Sequence, residues 1–131
     1  MKMVLSGMSN IDQLEDNTSF MEDFKPLNKL ELTTVHAVAD VINSGITIPC
    51  TACHYCTPGC PMNITIPEFF SVYNQEKREG SDHAADLKRY QELSKNGNPA
   101  SACIACGQCE GICPQHLPII DNLKEIAETF E

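Results

Sequence analysis

Residues 50–61 read C-T-A-C-H-Y-C-T-P-G-C-P, and residues 103–114 read C-I-A-C-G-Q-C-E-G-I-C-P. Both have the form C-x2-C-x2-C-x3-C-P, and the second follows the first by 53 residues. All eight cysteines of the chain fall in these two runs: Cys50, Cys53, Cys56 and Cys60, then Cys103, Cys106, Cys109 and Cys113. Other residues match at the same offset: Ala52 with Ala105, Pro61 with Pro114, Ile64 with Leu117, and Ile66 with Ile119. The chain therefore contains an internal repeat, and a site with two-fold pseudo-symmetry is expected.

The spacing has a chemical meaning. Three thiolates two residues apart sit on a tight loop that wraps one corner of a cubane, and a fourth ligand must come from elsewhere. This is the ligand run of 4Fe–4S clusters, in which the fourth Cys of each run serves the other cluster of a pair. On that basis Cys50, Cys53, Cys56 and Cys113 take the first cluster. Cys103, Cys106, Cys109 and Cys60 take the second. The proline after each fourth Cys fixes φ and removes a backbone donor, so the chain leaves the site in one direction. Zinc sites prefer two separated C-x2-C pairs. A disulfide framework belongs to an oxidising compartment, and the apolar part of residues 1–9 is too brief for an export signal. A reducing cytoplasm is expected, and with it metal ligation.

Composition narrows the partners. Eighteen Asp and Glu stand against nine Lys and Arg among 131 residues, a formal charge of −9. A nucleic acid, itself a polyanion, is excluded as a partner. The longest apolar stretches fall far short of the roughly 20 residues a membrane span needs. Helical spacing with capping residues predicts a helix over 10–22 capped by Ser9. A second runs from Asn28 to about Ile42, with Leu32, Val35, Val38 and Ile42 as its stripe. Thr65 and Glu68 suggest a capping box for a helix over 66–78. Ser81 or Asp82 starts another to about Lys95, with Leu87, Tyr90 and Leu93 inward. Pro118 opens a last helix with Ile119, Leu123, Ile126 and Phe130 on one face. Residues 3–5 suggest a short strand, but no alternating pattern provides it a partner, so the fold class is mainly α. The apolar neighbours of the cysteines, Ile48, Ile64, Ile66, Ile104, Ile112, Leu117 and Ile119, are expected to keep water from the clusters. His116 stands where the first repeat has Asn63, which suggests a shared turn. His54 reads as a polar loop residue, with tuning of a cluster by hydrogen bonding as the alternative. The pairs Lys77-Arg78 and Lys88-Arg89 read as solvated faces.

From about Ile48 onward, I-P-C-T-A-C-H-Y-C-T-P-G-C-P-M-N-I-T-I-P and C-I-A-C-G-Q-C-E-G-I-C-P-Q-H-L-P-I resemble an α-helical ferredoxin domain. Such domains occur in succinate dehydrogenase, fumarate reductase and heterodisulfide reductase. The wording is similar to the C-terminal extension of a bacterial group of aldo/keto reductases. The stretch V-L-S-G-M-S-N-I-D-Q-L-E-D-N, residues 4–17, resembles the last strand, loop and helix of that family's barrel. The resemblance implies that Ser6, Gly7, Ser9, Asn10, Gln13 and Asn17 touch the phosphates of NADP, and a helix N-terminus suits an anion. The family often carries a basic residue in this loop, where the chain has Met8 and no Arg or Lys.

A (β/α)8 barrel needs about 250 residues, so the family's catalytic Asp, Tyr, Lys and His would lie upstream. The chain is expected to be a C-terminal fragment that neither reduces carbonyls nor holds NAD(P) by itself. Residues 1–45 would be the barrel remnant and a linker helix, and 46–131 an α-helical ferredoxin-like domain with two cluster-binding loops. The expected cofactors are two 4Fe–4S clusters, and the expected partner is a redox protein or the upstream barrel domain. The expected function is electron transfer. The alternative is a structural module, stapled by iron–sulfur or zinc, that mediates partner contacts.

Overall fold

A computed structural model describes residues 7–131. The strand expected at residues 3–5 and the candidate contact Ser6 lie outside the described residues. These contain six α-helices and no strand, as the sequence pattern implies. The chain divides into two units, with the boundary between Val38 and Ala39.

In the first unit Asn10, rather than Ser9, caps α1 (Ile11–Glu22): its Oδ1 accepts from the Gln13 amide at 2.9 Å. Ser9 instead donates its backbone N–H to Gln13 Oε1 at 2.8 Å. The two bonds make a variant of the capping box, one residue later than the sequence suggested. Helix α2 (Lys29–Ser44) crosses the boundary and is capped, as expected, by Asn28. Asn28 Oδ1 accepts from the Leu30 and Glu31 amides, and Glu31 Oε2 accepts from the Asn28 amide at 2.8 Å. Neither helix buries a residue. The α2 stripe of Leu32, Val35, Val38 and Ile42 is exposed, as are Ile11, Leu14, Phe20 and Met21 on α1.

The second unit holds the core, and the repeat organises it. Helix α3 (Ile66–Glu76) and helix α6 (Ile119–Phe130) begin at residues 53 apart. Three of their buried residues coincide at that offset: Ile66 with Ile119, Phe70 with Leu123, Tyr73 with Ile126. Spacings of four and three put each trio on one helical face. Helix α4 (His83–Asn96) packs on α3, and α6 packs on α3, on a 3-10 turn at Ala100–Ala102, and on α5 (Gln108–Ile112). Helix α5 lies inside the second cysteine run and was not foreseen, because five residues are too few to show a period. Leu87 and Leu93 prove only partly buried, while Tyr90 and Asp86 are buried.

The capping box expected at Thr65 does not form. Thr65 sits at φ −81°, ψ 68°, outside the extended region an N-cap uses, and its hydroxyl makes no cap hydrogen bond. Glu68 turns instead toward His54, with Oε1 3.6 Å from Nδ1.

Aromatic rings close the core. Tyr90 lies 4.7 Å from Phe69 and 5.0 Å from Phe130 between ring centroids. Its hydroxyl accepts from the buried Ala100 amide at 2.8 Å and donates to Glu131 Oε1. The same Oε1 accepts from the Ser101 amide at 3.0 Å. Burial, reinforced by the Glu131 carboxylate, pushes the Tyr90 hydroxyl up to about 12. Burial alone would raise Glu131, but the bonds from Ser101 and Tyr90 outweigh it and hold the carboxyl below its usual range. The lock is therefore complete above the ordinary carboxylate range and is lost as pH falls through the lowered value. Tyr90→Phe keeps the ring contacts and leaves the Ala100 amide without a partner. It is expected to lower stability by about 1–3 kcal/mol in anaerobic chemical denaturation of the loaded protein. An unchanged midpoint would show that the lock contributes nothing.

Candidate metal centre

The two cysteine runs fold alike. Left-handed backbone recurs at equivalent positions: Ala52 (φ 51°) with Ala105 (53°), His54 (61°) with Gly107 (76°), and Asn63 (50°) with His116 (51°). Three turn hydrogen bonds recur with them. Cys60 donates to Thr57 O as Cys113 does to Glu110 O. Asn63 donates to Cys60 O as His116 does to Cys113 O, and Ile66 to Ile64 O as Ile119 does to Leu117 O. A left-handed residue reverses the curl of the chain, so a run of close cysteines coils about a hollow instead of continuing as a helix. The shared turn expected of Asn63 and His116 is thus present. Asn and His are among the residues that tolerate it best.

Two hollows result. One is lined by Cys50, Cys53, Cys56 and Cys113, the other by Cys60, Cys103, Cys106 and Cys109. Each collects three sulfur-bearing residues from one run and the fourth from the other. Ile66 lines both. Phe70, Leu117 and Ile119 complete the wall of the first, and Ile64, Ile120 and Leu123 that of the second. Of the residues expected to exclude water, Ile48, Ile64, Ile66, Leu117 and Ile119 are buried. Ile104 and Ile112 are instead 60% and 54% exposed. They are spacers within the ligand run, where the sulfurs take the inward positions.

None of the eight cysteines is paired in a disulfide. Their exposure also repeats: Cys53 and Cys106 are exposed, Cys56 and Cys109 buried, and the others lie between. Desolvation pushes the Cys56 thiol up, and pushes Cys109 up to about 11. Positive charge nearby, which iron supplies, favours loss of the thiol protons. Among the described residues no three His, Cys, Asp or Glu side chains converge closely enough for a single ion. Sulfurs that serve the corners of a cube stand further apart than those around one atom. Four cysteine sulfurs and an apolar wall in each hollow fit a 4Fe–4S cluster.

Polar side chains that the sequence did not single out hold these loops. Asn74 on α3 clamps Ile48, two residues before Cys50: its Oδ1 accepts from the Ile48 amide at 2.7 Å and its Nδ2 donates to Ile48 O at 2.8 Å. Glu131 holds Ser101, two residues before Cys103. Glu110 on α5 accepts from the Ile120 amide at 2.9 Å, tying the second run to the start of α6. A Cβ on Gly97 would come within 2.7 Å of Asn63 O, so only glycine lets the end of α4 rest on the turn after Cys60. Asn98 Nδ2 donates to Met62 O on the same turn at 2.7 Å. The hydrogen-bond partners of these side chains are backbone groups, so residue identity carries no signal for them. Asn74→Ala is expected to speed loss of the first cluster to an iron chelator severalfold while leaving the second unchanged, read by absorbance and residual iron. Equal loss from both would deny Asn74 this local role.

The candidate nucleotide contacts belong to the first unit. Gly7, Ser9, Asn10, Gln13 and Asn17 gather at the start of α1 and are all exposed. Asn10 and Gln13 are engaged in the cap, and Asn17 Nδ2 donates to Gln13 O at 2.8 Å.

No curated protein and no solved structure matches the chain significantly. Residues 49–117, more than half of the chain, match the family described as the 4Fe-4S dicluster domain. The match opens one residue before Cys50 and ends beyond Cys113, so it contains both cysteine runs and the helices that separate them. Two hollows of four cysteines each are what two cubes require, and the chain belongs to the 4Fe-4S dicluster domain family.

Proposed function

We propose that the two clusters are held in crossed fashion, the first by Cys50, Cys53, Cys56 and Cys113 and the second by Cys60, Cys103, Cys106 and Cys109. The observation that carries this reading is the composition of the hollows, three cysteines from one run and one from the other. A bound 4Fe–4S cluster takes up and releases single electrons. The chain's own residues do the rest. Cys53 and Cys106 place one ligand of each set at the surface, where exchange with a partner is short-range. Cys56 and Cys109 anchor the opposite side in the core, and Phe70, Leu117, Ile64 and Leu123 keep water from it. Each oxidised cluster with four thiolates adds two negative charges, taking the formal −9 to about −13. A basic surface on the redox partner complements that charge.

In the finer reading, the domain is the C-terminal part of an aldo/keto reductase-type oxidoreductase of the cytoplasm, with residues 46–131 carrying the clusters. The stretch from Val4 to Asn17 supports it, as does the exposed loop that leads into the N-terminus of α1, a place suited to phosphate. The exposed apolar side chains of α1 and α2 support it too, since an upstream barrel would give them cover. The substrate chemistry then belongs upstream. Hydride carries two electrons and a cluster one, so a flavin or a partner subunit has to divide the pair. No helix among the described residues is long and apolar enough to cross a membrane.

Burial of Cys56 and Cys109 within the hydrophobic core also suits a purely structural role. Redox titration separates the two. Anaerobic reduction with dithionite, followed by electron paramagnetic resonance, should show uptake of one electron per cluster. Clusters that stay oxidised would make them staples and remove the electron-transfer role.

A further inference from the structure

The chain has two arginines, Arg78 and Arg89, and both line one groove. The groove has a volume of about 270 Å³ and is completed by Cys50, Ala52, Pro67, Ser71, Asn74 and Gln75. It therefore opens directly beside the first ligand of the first cluster. Arg78 comes from the residues just past α3 and Arg89 from the middle of α4, so the packing of those two helices brings the cations together. Among the described residues neither arginine has a carboxylate within ion-pair distance. Arg78 makes one weak hydrogen bond, to Gln75 Oε1 at 3.3 Å. Two guanidinium groups without acids are unexpected in a chain with twice as many acids as bases.

Guanidinium forks match the oxygens of a phosphate or carboxylate, and Ser71 and Gln75 add neutral donors at the same place. The size selects further. The groove lies near the lower limit of small-molecule sites and has room for one oxyanion with the chain that carries it. The charge of the molecule selects again. An acidic protein would be repelled over its whole face by about −13 charges, whereas a small dianion loses far less. We propose that the groove is a phosphate subsite beside the first cluster, taking the phosphate end of a small electron carrier of the flavin mononucleotide type. The carrier's ring would remain outside, against the Cys50–Ala52 edge. This rests on the electron-transfer reading above. Reduction of one such flavin needs two electrons, one from each reduced cluster, and takes its protons from solvent.

Flavin mononucleotide and riboflavin share one redox ring and differ in the phosphate, which makes them a matched pair of probes. Fluorescence anisotropy with oxidised, cluster-loaded protein at low ionic strength should show flavin mononucleotide binding about tenfold tighter than riboflavin. Arg78→Gln and Arg89→Gln should each remove most of the difference, and inorganic pyrophosphate should compete. A molecule of this net charge without a subsite would favour neutral riboflavin, so equal binding, or tighter riboflavin binding, overturns the proposal. If the arginines only offset the cluster's charge, both variants shift its midpoint potential and leave the two flavins bound alike, which also overturns it. Electron delivery is read separately, with dithionite-reduced protein freed of excess reductant. Failure to reduce either flavin while binding favours flavin mononucleotide counts against the electron-transfer reading and leaves the subsite standing.

Discussion

Eight thiols brought within two small hollows form a charge problem before they form a fold. As thiolates they repel one another, and as thiols two of them are already buried enough to resist ionisation. Iron resolves the conflict by supplying positive charge at the place where the sulfurs converge. Because each hollow draws its fourth cysteine from the other run, the bonds that would hold a cube in the proposed crossed arrangement also tie residues between 43 (Cys60 to Cys103) and 63 (Cys50 to Cys113) positions apart. Loop closure over that length would be costly to maintain with weak contacts alone. Metal ligation and tertiary structure are thus one interaction in this domain.

The rest of the second unit makes this arrangement cheap to reach. Ala52 and Ala105 are held left-handed at roughly 1–2 kcal/mol each, a sizeable strain against the ~5–15 kcal/mol net stability of a domain. The two halves meet that strain with different anchors. In the first, Asn74 clamps Ile48 from α3. In the second, the Tyr90–Glu131 lock holds Ala100 and Ser101. Both secure the backbone a few residues before the first cysteine, so the symmetry lies in the task and not in the residue chosen. The arginine groove beside Cys50 has no equivalent at Cys103 in the repeat, since no arginine lies in or after the second cysteine run.

Much of this was legible in the sequence, for physical reasons that differ by element. The hollows follow from cysteine spacing, because ligand geometry fixes the loop. Helix α6 followed from its period, and its four expected inward residues are the four that are buried. Helix α5 and the position of the α1 cap were missed, because both turn on one or two residues of local geometry. The α2 stripe looked like a core face and is exposed, since periodicity shows that a face is apolar and not what covers it. Asn74 and Glu131 were invisible for another reason: their partners are backbone amides, and backbone amides leave no trace in residue identity.

The crossing of ligands between runs is the claim on which the account stands, and iron content of paired cysteine replacements reads it directly. Replacing Cys50 and Cys113 together removes ligands of one cluster only, so the protein should keep about four iron atoms per chain. Replacing Cys50 and Cys60 together strikes both clusters and should leave almost none. If the Cys50 and Cys60 pair retains a cluster while the Cys50 and Cys113 pair loses both, each run holds its own cube and the account is wrong.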